Sequence, residues 1–130
     1  MTQNYSLAYI IDDDPVFVLL FKKILLKLGK FETILNYVNG KIALDDLIEK
    51  ENNNEPMPNI IFLDINMPVL DGWEFLKALE KYNFKDKLNI YMVSSSIDSS
   101  EINKSKKHKY VKNFISKPIS AIDFLQKLEQ

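Results

Sequence analysis

Five residues with reactive side chains each stand at or just past the end of a short run that reads as a strand. Asp12 and Asp13 follow Leu7–Ile11, Asp64 follows Asn59–Leu63, Ser94 follows Leu88–Val93, and Lys117 comes just after Val111–Ile115. If these runs are neighbouring strands pointing the same way, three carboxylates, a hydroxyl and an ammonium meet at one edge. Hard oxygen donors in that number suit a divalent cation such as Mg²⁺, which takes one or two carboxylates and otherwise keeps waters or phosphate oxygens. A carboxylate can also accept a phosphoryl group as an acyl phosphate, a transfer that depends on placement and charge neutralisation. Each residue also has a plainer reading. Asp12 and Asp13 could be a solvated acidic turn, Asp64 an Asx turn, Ser94 to Ser96 turn residues, and Lys117 a surface lysine before Pro118.

The run "IIDDDP" sharpens the choice. Two carboxylates 4–5 Å apart repel by roughly 3–4 kcal/mol at an effective dielectric of 20, a cost a dication among them would offset. The third acid, Asp14, precedes Pro15 and so reads as the N-cap of a helix with proline at its first position.

The elements that must position these residues can be read from periodicity. Val16, Leu19, Leu20, Ile24 and Leu28 recur at helical spacing and form the expected buried face of a first helix, stopped at Gly29. Thr33–Val38 reads as a second strand. After Gly40 a helical pattern runs through Ala43, Leu44, Leu47 and Ile48, and Glu51–Pro58 is a loop. Asp71 caps a third helix carrying Phe75, Leu76 and Leu79. A polar, lysine-rich helix precedes the fifth strand, and Ser120 caps a last helix carrying Ile122, Leu125 and Leu128. Strand and helix alternate five times, and wholly apolar strands indicate a parallel sheet covered on both faces. Right-handed crossovers then give a doubly wound α/β sheet, whose ligands bind at the carboxyl edge of the strands.

Composition removes other classes. With 130 residues the chain suits one domain, read as 1–130 without a linker. There is no cysteine, so disulfides and thiolate metal sites are ruled out. A net charge of −1 gives no global field toward nucleic acid. No leader-type segment and no apolar run of membrane-spanning length is seen, so a cytoplasmic protein without membrane association is expected.

The segments "IIDDDP", "IIFLDINMPVLDGWEFL", "YMVSSS" and "NFISKP", in this order, resemble the receiver domain of two-component response regulators. The resemblance implies a CheY-like, flavodoxin-like strand order 2-1-3-4-5 and a stand-alone phosphoacceptor switch. It makes Asp64 the phosphoacceptor and Asp12 and Asp13 the acidic pair that holds Mg²⁺ (Mn²⁺ as a substitute), Asp13 more directly and Asp12 through water. It gives Asn66 the backbone carbonyl that completes the metal shell, Ser94 the switch hydroxyl, and Lys117 the lysine before a proline that is commonly cis. Phe114 matches the aromatic whose rotamer reports the state, although core packing explains it equally. The implied partners are a sensor histidine kinase or histidine phosphotransfer protein and a downstream protein, the chain itself being a monomer or weak dimer. Catalysis would extend only to its own phosphorylation and dephosphorylation. Competing readings are a receiver-like binding module that no longer uses phosphorylation, and an Asp-nucleophile phosphatase. The latter often carries a second acid two residues after the nucleophile, where this chain has Asn66.

Asp71 and Gly72 belong to the family pattern but are explained by capping, Trp73 is explained by packing, and His108, among lysines, reads as a solvated residue. "HKYVKNF" departs from the family, which usually has a Gly-Ala-type turn where Tyr110 and Val111 stand. Lys104, Lys106, Lys107, Lys109 and Lys112 crowd the surface of the fourth helix and fifth strand, as a solvated face or an acidic partner's docking site. Only one short helix follows Lys117, so no DNA-binding or catalytic effector is expected.

Overall fold

The computed structural model describes residues 4–95 and 99–128. Ser96, in the segment Tyr91–Ser96 noted above, lies outside them. The strands are β1 (Tyr5–Ile11), β2 (Phe31–Tyr37), β3 (Ile60–Asp64), β4 (Ile90–Ser94) and β5 (Val111–Ser116). The helices are α1 (Pro15–Leu28), α2 (Gly40–Asn52), α3 (Gly72–Leu79), α4 (Ser99–Ser105) and α5 (Ala121–Leu128), with a short 3-10 turn at Asn83–Lys87. All strand pairs are parallel, in the order β2-β1-β3-β4-β5. The expected doubly wound, flavodoxin-like sheet is therefore present. Its order reverses between β1 and β3, the strands that end in Asp12–Asp13 and Asp64.

Side chains alternate across each strand and so build two cores. Tyr9, Ile11, Ile61, Leu63, Ile90 and Met92 pack against Ala43, Leu44 and Leu47 of α2 and Phe75, Leu76 and Leu79 of α3. Ala8, Ile10, Ile60, Phe62, Tyr91 and Val93 pack on the other face against Val18, Phe21 and Leu25 of α1 and Phe124 and Leu128 of α5. Phe62 sits at the centre of the second core, with ring centroids of Phe21 at 4.8 Å and Phe124 at 5.6 Å. Each such side chain, fully buried, contributes about 1.5–3 kcal/mol.

The buried face of α1 differs from the expected one. Val18, Phe21 and Leu25 face the core, whereas Val16, Leu19 and Leu20 are 66%, 56% and 55% exposed. The helix "PVFVLLFKKILLKL" is apolar nearly all round, so periodicity offers two stripes and the sheet uses the other. In α5, Ile122 is likewise exposed and Phe124 takes its place in the core.

Local chemistry sets the helix ends. The Asp14 carboxylate accepts the N–H groups of Val16 and Phe17, with Pro15 at the first helical position. Gly29 ends α1 at φ +66°, the left-handed conformation that glycine adopts without steric cost. Asp71 and Glu74 form a reciprocal capping box at α3, and the Ser120 hydroxyl accepts the Asp123 N–H at the start of α5. Among the described residues no helix is long and apolar enough to cross a membrane.

Candidate functional site

At the carboxyl edge of the sheet, β1 and β3 bring Asp12, Asp13 and Asp64 together. Each offers a carboxylate oxygen, and these atoms lie within 4.8 Å of one another. Asp12 and Asp64 are buried, while Asp13 is exposed at the rim. The backbone holds the cluster from both sides. Asp12 Oδ1 accepts the Asp14 N–H at 2.9 Å. The Asn36 amide, from β2, donates to the carbonyls of Ile10 at 2.9 Å and Asp12 at 3.2 Å. Asn36 is thus a supporting residue that strand periodicity alone does not single out.

Lys117 reaches this cluster from the end of β5. Its Nζ lies 2.9 Å from Asp12 Oδ2 and 3.7 Å from Asp64 Oδ1, and 4.1 Å from the Phe17 ring centroid. The Lys117 N–H donates to the Ser94 carbonyl at 3.0 Å, and the Lys117–Pro118 peptide bond is cis. Ser94 is buried at the end of β4, in register with Ser116 and next to Val93, which pairs with Asp64. Carboxylates, hydroxyl and ammonium therefore share one edge.

Asn66 lies in the loop after β3. Its side chain is exposed, and its backbone N–H faces the Asp64 carboxylate and favours the charged form. Phe114 is placed differently. It pairs with Met92 and is buried in the core beneath α2 and α3, as ordinary packing would have it.

One cation among three acids leaves the cluster unbalanced. Burial, then Asp12 and Asp13, push the Asp64 carboxyl up to about 6, against the pull of Lys117 and the Asn66 N–H. Asp12 is also raised, chiefly by burial, with Asp13 adding to it and the Asp14 N–H and Lys117 opposing. Asp12 Oδ2, although close to Lys117, is buried without a well-directed hydrogen bond. Three hard oxygen donors with an under-satisfied buried oxygen fit a small divalent cation.

Two further residues shape the site. A Cβ on Gly72 would lie 2.7 Å from the Asp64 carbonyl oxygen and 2.9 Å from Ile65 Cα. Only glycine lets α3 begin this close to the end of β3, so capping is not the whole reason for Asp71–Gly72. Val69 holds φ +70° in the same loop, a strained conformation for a β-branched residue.

The departure at "HKYVKNF" also resolves structurally. Tyr110 is buried, and its hydroxyl donates to the Leu76 carbonyl of α3 at 3.1 Å. His108 Nδ1 lies 3.1 Å from that hydroxyl and 3.8 Å from Glu80, with its side chain only 16% exposed. His108 is therefore not the solvated residue its lysine neighbours suggest. Trp73 packs at the edge of the α2–α3 core, with Lys104 Nζ 4.7 Å from its ring centroid. The other lysines of the basic stretch, 106, 107, 109 and 112, are exposed.

An open parallel sheet with acids, a hydroxyl and a lysine at its switch edge is the flavodoxin-like α/β architecture, with its polar site where such sheets bind ligands. Residues 8–129 match the family described as the response regulator receiver domain. The chemotaxis protein CheY of Listeria monocytogenes is 31% identical over 124 residues, covering 95% of this chain and 97% of that protein. The sensor histidine kinase CheAY of Helicobacter pylori is 32% identical over 91 residues, covering 70% of this chain and 11% of that protein. The crystal structure of a two component response regulator from Cytophaga hutchinsonii superposes with a TM-score of 0.87 at 27% identity, covering 98% of this chain and 96% of that one. The chain belongs to the response regulator receiver domain family, whose members are signalling switches of two-component systems rather than classical enzymes.

Proposed function

We propose that this chain, as a single receiver domain over residues 1–130, accepts a phosphoryl group on Asp64 and changes its affinity for a protein partner in response. The observation that carries the reading is the convergence of Asp12, Asp13, Asp64 and Lys117 at one edge, with more negative charge than the lysine balances. Mg²⁺ would be held by Asp12, Asp13, Asp64 and the Asn66 carbonyl, with Mn²⁺ as a substitute, and would supply neutralising charge beside the transferred phosphoryl. Asp13, exposed at the rim, is read as the more direct ligand; Asp12 is already engaged by the Asp14 N–H and Lys117.

In the transfer an Asp64 oxygen forms a bond to phosphorus as the donor's N–P or acyl O–P bond breaks, and the leaving group keeps that bond's electron pair. Asp64 must be ionised to attack, which its position near pH 6 permits at neutral pH. Lys117 then exchanges carboxylate contacts for the phosphoryl oxygens, and the Ser94 hydroxyl donates to them. Phosphorylation shifts the protein between states only through such differential contacts, and Phe114 is the candidate reporter in the core. The implied donor is a sensor histidine kinase or histidine phosphotransfer protein. The output is a downstream protein or onward phosphotransfer in the cytoplasm, without nucleic acid or membrane. Catalysis is confined to the chain's own phosphorylation and dephosphorylation.

Incubation with acetyl phosphate and Mg²⁺, followed by intact mass measurement, tests the reading. One phosphoryl addition is expected on the wild type, none with chelator and none on Asp64→Asn. An equal addition on Asp64→Asn would remove the assignment.

A further inference from the structure

We infer that Phe17 is a positioning residue for Lys117: the face of its ring holds the ammonium over the Asp12–Asp64 cluster and keeps it there when the carboxylates turn to other partners. The inference rests on the phosphoacceptor reading of Asp64 and concerns how that site is kept in order. The Lys117 Nζ lies 4.1 Å from the Phe17 ring centroid, within the roughly 6 Å at which a cation is drawn to an aromatic face. The same nitrogen lies 2.9 Å from Asp12 Oδ2 and 3.7 Å from Asp64 Oδ1, and the lysine side chain is only 16% exposed. Attraction to a ring face strengthens as water is withdrawn from the cation.

Both partners are held from outside this contact. Phe17 stands in the first turn of α1, where its N–H donates to the capping Asp14 carboxylate at 3.2 Å. Its ring is half-buried and packs against Phe21, with centroids 5.4 Å apart. Phe21 is fully buried and is fixed in turn by Phe62 and Phe124. On the other side, the Lys117 N–H donates to the Ser94 carbonyl. With its backbone anchored, the lysine keeps a four-carbon stem whose rotamer freedom must be restrained if the ammonium is to stay in one place. Asp12 and Asp64 supply part of that restraint, but both are oxygen donors on which a hard dication also draws. The ring offers such a cation no lone pair, so Phe17 stays with the ammonium while the carboxylates change partners. Ordinary packing accounts for an apolar side chain at position 17, but it does not require the potential of an aromatic face.

Fluorination of the ring separates packing from electrostatics, because it drains the negative potential of the face and leaves the shape nearly unchanged. Mono-, di- and trifluorophenylalanine are placed at position 17, with Phe17→Leu beside them. In chelator and without any phosphoryl donor, acetylation of Lys117 by an amine-reactive ester is followed by peptide mapping, with the exposed Lys106 as internal standard. The rate at Lys117 should rise stepwise with fluorine number and reach about threefold or more for trifluorophenylalanine and for Phe17→Leu. With Mg²⁺ and acetyl phosphate, a donor too small to need a docking surface, the initial rate of Asp64 labelling should fall stepwise, by about threefold to tenfold at the end of the series. Lys117 reactivity that is equal across the fluorinated series, or labelling that does not follow it, would overturn the inference. A wild type that takes no label would instead remove the phosphoacceptor reading, and the reactivity of Lys117 in chelator would still decide whether the ring holds the ammonium.

Discussion

Replacing Asp64 by asparagine should make the metal-free protein more stable, even though it removes the proposed phosphoacceptor. The Asp64 carboxyl is pushed up to about 6 from 3.8, first by burial, then by Asp12 and Asp13, with Lys117 and the Asn66 N–H opposing. About two units at about 1.4 kcal/mol each set a ceiling near 3 kcal/mol on what ionising this group costs the fold. The cluster opens to solvent at Asp13, and screening there reduces the figure to about 1–2 kcal/mol. Asparagine keeps the shape and removes only the charge, so the gain should survive the substitution. The pH dependence has a definite sign. A carboxyl whose folded-state value lies above its unfolded value binds more protons when folded, between pH 3.8 and about 6. Its contribution to stability therefore falls as pH rises through that window and stays low at neutral pH. Asp12, also raised by burial, acts in the same direction. Urea or thermal melts in chelator at about pH 7.5 should show Asp64→Asn above the wild type, by roughly 3–10 °C in Tm. At about pH 5 the gap should narrow, and Mg²⁺ at neutral pH should narrow it by stabilising the wild type alone. An Asp64→Asn protein less stable than the wild type in chelator at neutral pH would refute the reasoning, as would a gap that does not change with pH.

Other outcomes follow from single contacts. Gly72→Ala should cost about 1–3 kcal/mol and slow acetyl-phosphate labelling, because its Cβ must displace the Asp64 backbone. Asp71→Ala, which removes only the cap, should cost about 1 kcal/mol and leave labelling within twofold. Val69→Gly should stabilise by about 1 kcal/mol in urea melts by relieving positive φ at a β-branched residue. Tyr110→Phe leaves the Leu76 carbonyl and His108 without the hydroxyl and should cost about 1–2 kcal/mol.

The sheet and its reactive edge are legible in the sequence because both depend on local signals. Wholly apolar runs such as Ile60–Leu63 mark buried parallel strands, and chain polarity alone then sends Asp12, Asp64, Ser94 and Lys117 to one edge. The caps at Asp14, Asp71 and Ser120 are local too. Tertiary choices are not legible in this way. Both stripes of α1 satisfy helical periodicity, and only the sheet decides that Phe21 rather than Leu20 is buried. Ile122 and Phe124 pose the same ambiguity at the start of α5. His108 looks solvated beside its lysines because its partners, Tyr110 and Glu80, are brought to it by the packing of α3 against the entry to β5. Gly72 reads as a cap because the carbonyl it must clear, that of Asp64, is eight residues away along the chain. Asn36 is anonymous in its strand until β2 lies beside β1.

The most direct measurement on the central claim is chemical trapping of the modified side chain. Wild-type protein is treated with acetyl phosphate and Mg²⁺, reduced with borohydride, which converts an aspartyl phosphate to homoserine, and mapped by tandem mass spectrometry. Conversion at Asp64, abolished by chelator and reduced by Asp13→Asn, is expected. Conversion at Asp12, at Asp13 or at no aspartate, under conditions where the protein remains folded, would contradict the assignment of Asp64 as the phosphoacceptor.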